Sequence, residues 1–188
     1  MNFSNEQLSD IIRNCRNKSR LTQKELYKGY FGYAMSIVSR YAINYDDAVE
    51  VVNDSFLKIF KGLDQFNAEN NHLNAAFAAW LKRIFITTSI DYVRKNEKRL
   101  EKTIELSDKE FTMLDSDENG EDIMSYKEII ECIKLLSPAC RTVFNLFVIE
   151  GYTHEQISQE LKISVSSSKT NLFKARQKLQ DMLKKNQV

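Results

Sequence analysis

Hydrophobic residues recur at steps of three and four along most of the chain, the spacing that gives an α-helix one buried face. Three such stripes stand out in the first half: Leu26, Tyr30, Tyr33, Ile37 and Tyr41; Val49, Val52, Phe56, Ile59 and Leu63; and Phe77, Trp80, Leu81 and Ile84. Each stripe predicts a helix that packs one face into a core.

Capping residues predict where these helices begin. Ser4 or Asn5 begins the first, which buries Leu8, Ile11 and Ile12. Thr22 with Glu25, and Asp47 with Glu50, have the spacing of capping boxes, in which two residues three apart satisfy free backbone N–H groups. We therefore expect helices over 22–41 and 47–62. A polar loop over 66–74 and a long helix over 75–99 complete this half.

The second half ends in two short helices that a tight turn separates. Before them, a helix from about Tyr126 carries Ile129, Ile130, Ile133 and Leu136, and Ser137-Pro138 begins another with Val143, Phe144 and Phe147. Thr153 and Gln156 form a third capping box, and Ile157 and Leu161 supply the buried face behind it. Ile163 marks the turn, and Ser164 caps a last helix from Val165 to about Lys178. This is the layout of a helix-turn-helix, whose second helix enters the DNA major groove.

Composition supports a helical fold, and charge divides it. Five glycines and one proline in 188 residues favour an all-α protein. Residues 82–102 carry seven bases and three acids, residues 103–124 one base and eight acids, and residues 162–188 seven bases and one acid. The net charges are therefore +4, −7 and +6. We predict two small helical domains, 1–102 and 126–188, joined by a flexible acidic linker over 103–125.

Few residue patterns in the chain point to catalysis. Cys15, Cys132 and Cys140 form no CxxC pair, and we expect reduced thiols in or near a core. His72 and His154 lie too far apart in sequence to suggest a metal site. There is no glycine-rich phosphate loop, nucleophile motif or apolar run of about 20 residues. We expect a cytoplasmic protein that is not an enzyme, uses no cofactor, metal or small-molecule substrate, and is not an integral membrane protein.

The last helix carries the predicted DNA contacts. We expect the polar residues at its start to face base edges, where Asn reads adenine and Lys reaches guanine, and the later bases to contact phosphates. These residues are Ser166, Ser167, Lys169, Thr170, Asn171, Lys174, Arg176 and Lys178. The alternative is a solvated basic helix end, which the helix dipole also favours.

Three groups of residues recur in a fixed order from about Leu8 to Leu183. They are YDDAVEVVNDSFLKIF over 45–60; WLKRI over 80–84 with IDYVRK over 90–95; and LSP, RTVF, EGYT and EQI between 136 and 157. In this order they resemble a bacterial sigma factor of the extracytoplasmic-function (ECF) type, in the sigma-70 family. The first run is similar to that family's polymerase-binding helix, the second to its promoter-melting helix, and the third to its second conserved region.

The resemblance implies partners for each part of the chain. The first domain would bind the clamp coiled coil of core RNA polymerase through Asp47, Glu50, Asn53, Asp54, Leu57, Lys58 and Phe60. It would hold the minus-ten region of the promoter, melted to single strands, through Asn70, Asn71, Asn74, Lys82, Arg83, Arg94 and Lys95. The second domain would contact the polymerase flap and read the double-stranded minus-thirty-five element. An anti-sigma factor is a further implied partner, and the linker is either a solvated tether or a segment threading the RNA-exit path.

Four residues depart from the family pattern. Thr87 replaces an asparagine of the melting helix, and Ser158 replaces a small alanine in the helix-turn-helix. Lys162 occupies the glycine of the turn, where a positive φ costs a non-glycine residue about 1 kcal/mol. Ser168 replaces a buried valine, so its hydroxyl needs a partner, for which we expect a backbone carbonyl one turn earlier.

Two other functions fit part of the sequence. One is a helix-turn-helix regulator that never touches polymerase; the other is a sigma-like regulator that binds polymerase without initiating. Trp80 and Phe77 are candidates for stacking on unpaired bases, but the spacing of Trp80 to Leu81 and Ile84 favours core packing.

Overall fold

The computed structural model describes residues 3–67, 72–103 and 126–185, and all regular elements in those ranges are helical. The chain divides into two compact units, Met1–Tyr92 and Val93–Val188. The predicted linker lies outside the described residues, apart from Thr103.

Four helices account for most of the first unit. They are α1 (Asn5–Arg16), α2 (Arg20–Val38), α3 (Tyr45–Gly62) and α4 (Leu73–Lys95), with a 3₁₀ turn at Leu63–Gln65. The end of α1 is tied to that turn, because Arg16 donates from Nε to the carbonyl of Leu63 at 3.0 Å and from Nη2 to that of Phe66.

Aromatic side chains join these helices at the core. Tyr30 of α2 meets Phe77 of α4 edge-on, with ring centroids 5.6 Å apart, and Phe56 of α3 lies 5.7 Å from Phe85. Leu8 and Leu26 are also fully buried in this unit. Fully burying one such side chain contributes about 1.5–3 kcal/mol, so these contacts dominate the stability of the unit.

The capping signals were right at one end of this unit and wrong elsewhere. Ser4 caps α1, and its hydroxyl and the Gln7 side chain form both bonds of a capping box. The boxes predicted at Thr22 and Asp47 are wrong, since α2 begins after Ser19 and α3 after Asn44. The Asn44 side chain accepts the N–H of Asp47 at 2.9 Å, so Asp47 is the capped residue, and the cap lies three residues earlier than predicted.

Two helix ends also differ from prediction. Helix α2 ends at Val38, although Tyr41 beyond it is fully buried, so the apolar spacing continues past the helix itself. Helix α4 covers Leu73–Lys95 instead of 75–99, and residues 97–103 are again helical after a turn at Asn96.

The second unit contains the predicted helix-turn-helix. From Tyr126 onward its elements are α5 (Tyr126–Lys134), α6 (Pro138–Phe144), a π-helical segment (Asn145–Ile149), α7 (His154–Leu161) and α8 (Val165–Lys185). Cys132, Leu136, Cys140, Ala175 and Met182 belong to one buried cluster, against which Phe144 and Leu179 pack. Helix α8 is longer than predicted because Leu179 and Met182 continue its apolar stripe beyond Lys178.

The three cysteines are free and buried, as predicted. Burial raises the pKa of the Cys15 thiol, which keeps it protonated. Among the described helices, none is both long and apolar enough to cross a membrane.

Candidate nucleic-acid and protein interfaces

The first helix of the helix-turn-helix starts as the sequence predicts. The N–H of Thr153 donates to Gln156 Oε1 at 2.8 Å, and the N–H of Gln156 donates to Thr153 Oγ1 at 3.2 Å. This capping box fixes where α7 begins, and Ile157 on its inner face is fully buried.

The turn between α7 and α8 has a lysine in a left-handed conformation. Lys162 has φ 55° and ψ 43°, and its N–H donates to the carbonyl of Ser158. Ser158 in turn donates its hydroxyl to the carbonyl of Ile163 at 2.6 Å. The serine that replaces the family's small alanine therefore binds the backbone of the turn.

Helix α8 is capped by its predicted residue. Ser164 Oγ accepts the N–H of Ser167 at 3.0 Å and lies 2.8 Å from the Ser167 hydroxyl. Ser167, a predicted base reader, is exposed, but its hydroxyl takes part in this cap.

Ser168 finds a different partner from the one predicted. Its side chain is fully buried, and its Oγ lies 2.9 Å from Nδ1 of His154, the first residue of α7. The expected bond to a carbonyl one turn earlier is wrong, because the imidazole of the neighbouring helix reaches the hydroxyl instead.

The two faces of α8 separate cleanly. Ser168, Leu172, Ala175 and Met182 are buried, at steps of three, four and seven. Of the eight predicted DNA-contacting residues, Ser166, Ser167, Lys169, Thr170, Lys174 and Arg176 are exposed and Asn171 and Lys178 are half-buried. The helix therefore presents most of its hydroxyls and bases on the side away from the core.

Sequence reasoning missed one residue on this surface. Phe173 is 60% exposed, four residues after Lys169 and three after Thr170, so it shares their face. Its place outside the apolar stripe was visible in the sequence. Phenylalanine at such a position can contact a thymine methyl group. We call Ser166, Lys169, Thr170 and Phe173 the reading face.

Glu155 of α7 lies close enough to α8 for its carboxylate to interact with the charge of Lys169 on the reading face. The pKa of Glu155 is lowered, mainly by a hydrogen bond from its own backbone N–H, then by Thr153, and more weakly by the charges of His154 and Lys169. The carboxylate therefore stays charged on the side of the helix-turn-helix that Lys169 occupies.

A second candidate surface lies on α3. Glu50, Asn53, Asp54, Leu57 and Lys58 are all exposed, and Leu57 is 58% accessible although it is apolar. These residues recur at steps of three and four, so they form one stripe, which we call the α3 face. A mixed apolar and acidic stripe suits a protein partner.

Two predicted members of the polymerase-binding set do not belong to this stripe. Asp47 is buried in the first turn of α3, where the Asn44 cap meets its backbone, so it is not available on the α3 face. Phe60 is half-buried and packs against Phe56, with ring centroids 5.9 Å apart.

Neighbouring helices support the α3 face. Tyr27 of α2 donates its hydroxyl to Asn53 Oδ1 at 2.9 Å, and burial raises the pKa of that tyrosine, so the donor keeps its proton. Lys58 pairs with Asp91 of α4 at 3.0 Å. Both ions are about half exposed, and such pairs contribute little stability.

The predicted minus-ten residues are spread along α4. Arg83, Arg94 and Lys95 are exposed and Lys82 is half-buried. The helix has 23 residues, about 35 Å, so its two ends do not form one compact patch. Asn70 and Asn71 lie outside the described residues.

Asn74, at the start of α4, has its amide group engaged. Its Nδ2 donates to Asn5 Oδ1 at 2.6 Å and to the carbonyl of Phe3 at 3.3 Å. The half-buried Trp80 packs on the core residues Phe66 and Phe77, with ring centroids 5.1 Å and 5.7 Å away, so the predicted packing is present but leaves part of the residue exposed.

Comparison with known proteins gives matches over both units. Residues 26–99 match the family model for sigma-70 region 2, and residues 126–179 match the model for sigma-70 region 4. An ECF RNA polymerase sigma-E factor of Haemophilus influenzae is 23% identical over 189 residues, covering 95% of this chain and 97% of the relative. The sigma-E factor of Escherichia coli K12 is 26% identical over 183 residues, with 92% and 93% covered.

A solved structure has a similar fold. It is the sigma factor RpoE in complex with the anti-sigma factor NepR from Bartonella quintana, with a TM-score of 0.51 and 17% identity. The match covers 86% of this chain and 96% of that one.

Proposed function

Because this chain belongs to the sigma-70 family, as a factor of the ECF type that directs core RNA polymerase to promoters, we propose that it does so through separate surfaces on three helices. The α3 face binds polymerase, residues of α4 act on the minus-ten region, and the reading face of α8 recognises the minus-thirty-five element.

The α3 face is the proposed polymerase contact. It combines an exposed leucine, Leu57, with the carboxylates Glu50 and Asp54. An apolar residue surrounded by charged ones matches the anatomy of protein interfaces, in which a few central side chains carry most of the binding free energy. Asp47 is excluded from the proposal by its burial.

The reading face is the proposed minus-thirty-five contact. The second helix of a helix-turn-helix lies in the major groove and uses its N-terminal residues on base edges. Ser166, Lys169 and Thr170 occupy that part of α8, and Phe173 follows one turn later. Lys174 and Arg176, exposed beside them, contribute phosphate contacts, which position the helix and make binding salt-dependent.

The proposed role of α4 is electrostatic. Lys82, Arg83, Arg94 and Lys95 provide positive charge that tracks the DNA backbone as its strands separate. Asn74 is better suited to holding the start of α4, because its amide is bonded to Asn5 and Phe3.

In this proposal the protein is a non-catalytic subunit of polymerase that works in the cytoplasm. A protein inhibitor is a further partner to test, since the Bartonella protein of similar fold was solved with its anti-sigma factor.

The observation that carries the proposal is the division of α8 into a buried stripe and an exposed reading face. The test mixes the purified chain with bacterial core polymerase and a library of random DNA duplexes. We expect sequence-specific enrichment only when chain and polymerase are both present, because each contact alone is weak and the complex joins them. Enrichment by the chain alone, without association with polymerase, would favour a helix-turn-helix regulator instead.

A further inference from the structure

One hydrogen bond joins the two helices of the helix-turn-helix through their side chains. His154 Nδ1 lies 2.9 Å from Ser168 Oγ, and it connects the first residue of α7 to the first turn of α8. Ser168 is fully buried, at the head of the stripe that continues with Leu172 and Ala175. The only polar side chain in that part of the stripe is thus bonded across to the neighbouring helix.

The imidazole of His154 is held on a second side. Its ring stacks on Phe147 of the π-helical segment, with centroids 4.5 Å apart and planes 25° from parallel. The ring plane is set by Phe147 and the direction of Nδ1 by Ser168. Because both the plane and the direction of the imidazole are held, His154 holds the Ser168 hydroxyl in one geometry.

The same phenylalanine also meets a candidate phosphate contact. The guanidinium carbon of Arg176 lies 5.9 Å from the centroid of the Phe147 ring. Phe147 therefore stacks on His154, which bonds Ser168, and lies near Arg176, two turns after Ser168 on the same helix.

A hydroxyl inside a helix commonly bonds a carbonyl of its own helix, which constrains nothing outside it. Thr142 does this in α6, where its hydroxyl donates to the carbonyl of Pro138 at 2.8 Å. Ser168 instead directs its bond to α7. An apolar residue there would pack without direction, whereas a hydrogen bond weakens steeply when its angle changes. The bond therefore opposes rotation of α8 about its own axis.

We infer that His154 is a positioning residue for promoter reading: through Ser168 and Phe147 it sets the rotation of α8 and so aims the reading face at the bases. The inference rests on the proposed function of that face. Ser166 and Lys169 flank Ser168 at two positions before and one after, so a small rotation about Ser168 moves both. His154 itself need not touch DNA.

The test compares three variants of the full chain within the holoenzyme: Ser168→Ala, His154→Phe and both together. Phenylalanine at 154 keeps an aromatic ring against Phe147 but cannot bond Ser168. The probes are the duplex that wild-type holoenzyme enriches from a random library, and the same duplex with its minus-thirty-five segment scrambled. Dissociation constants for both, and the melting temperature of each variant, are measured.

We expect each single variant to lower the preference for the enriched duplex about tenfold, with affinity for the scrambled duplex within about twofold of wild type. The double variant should regain melting temperature, because no buried polar group is left unpaired, yet keep the lowered preference. Thr142→Val is the matched control: it removes a buried hydroxyl of the same unit and should leave the preference unchanged.

Wild-type preference in Ser168→Ala, or recovery of preference together with melting temperature in the double variant, would overturn the inference and make the pair structural only. If His154→Phe does not fold, Ser168→Ala, which removes one oxygen atom, decides the result. The proposed function is tested separately by Lys169→Ala alone. It fails if that variant prefers the enriched duplex over the scrambled one as strongly as wild type does.

Discussion

Three residues in and beside the turn of the helix-turn-helix show how the fold accommodates polar side chains where the family pattern has glycine, alanine and valine. Lys162 takes the left-handed conformation that favours glycine, and Ser158 binds the carbonyl of Ile163 beside it. Ser168 satisfies its buried hydroxyl with His154. The family resemblance indicated the strain at Lys162 and the burial of Ser168, since the family has glycine and valine at these positions. It could not indicate His154, because a bond between helices depends on their packing.

Replacing Lys162 by glycine should stabilise the second unit. A non-glycine residue at φ 55° costs about 1 kcal/mol, which glycine relieves. Urea denaturation should therefore give a free energy of unfolding about 1 kcal/mol higher for Lys162→Gly. Lys162→Ala keeps the strained backbone and should match wild type within a few tenths; an equal gain in both variants would show that the lysine side chain, not its φ, is at fault.

Replacing Tyr30 by phenylalanine should reduce the sensitivity of the first unit to alkali. Burial raises the pKa of Tyr30 to about 12, so the folded state holds this proton more tightly than the unfolded state does. This tighter binding of the proton stabilises the folded state fully below pH 10, and the contribution is lost as the pH rises from 10 toward 12. Urea midpoints should fall less over this window in Tyr30→Phe than in wild type.

The exposed Tyr45→Phe serves as the control for that comparison. It should follow the wild-type curve, and a difference of the same size in both variants would contradict a special role for burial at Tyr30. At neutral pH Tyr30→Phe should be neutral or more stable by about 1 kcal/mol, because the buried hydroxyl has no hydrogen-bond partner within the described part of the chain.

At the scale of elements, each helix with a proposed role carries a buried stripe and an exposed one. On α3 the apolar stripe was readable from spacing alone, and Val52, Phe56 and Ile59 are buried as predicted. The start of α3 was not, because Asn44 and Asp47 are both good capping residues and only packing decides between them. Because Asn44 is the cap, Asp47 lies in the first turn of α3, where it is buried and is not part of the α3 face. The extra length of α8 was readable from Leu179 and Met182.

Truncating Leu57 on α3 should weaken binding to core polymerase about fivefold or more, since central apolar contacts carry much of an interface's free energy. Titration of labelled chain with core polymerase measures this. Leu21→Ala is the matched control: that leucine is 82% exposed on α2, outside the α3 face, and should bind like wild type. Equal affinity of the two variants would refute the α3 face.

Truncating the reading face of α8 should affect DNA and spare polymerase. We expect Lys169→Ala and Phe173→Ala each to reduce promoter-binding free energy by about 1–3 kcal/mol, the usual cost of losing a base contact. Lys184→Ala, an exposed lysine near the end of the same helix, controls for net charge. Unchanged promoter occupancy in Lys169→Ala would mean that α8 presents a different face to DNA.

For the whole molecule, the order of motifs predicted more than any single motif did. The two basic segments, 82–102 and 162–188, indicated two helical modules, and the runs around Asp54, Trp80 and Glu150 indicated their family. The matches to regions 2 and 4 confirm that family. Two modules in one chain raise the effective concentration of the second contact once the first is made. The contribution of the acidic linker stays a prediction.

Run-off transcription shows whether the chain makes core polymerase start at a promoter. Core polymerase and the purified chain are supplied with a template bearing the enriched promoter, with Leu57→Ala and Lys169→Ala tested in parallel. We expect a transcript of one defined length that requires the chain and whose yield falls in both variants. Binding of both polymerase and promoter with no transcript would contradict it, and would identify a sigma-like regulator that cannot open DNA.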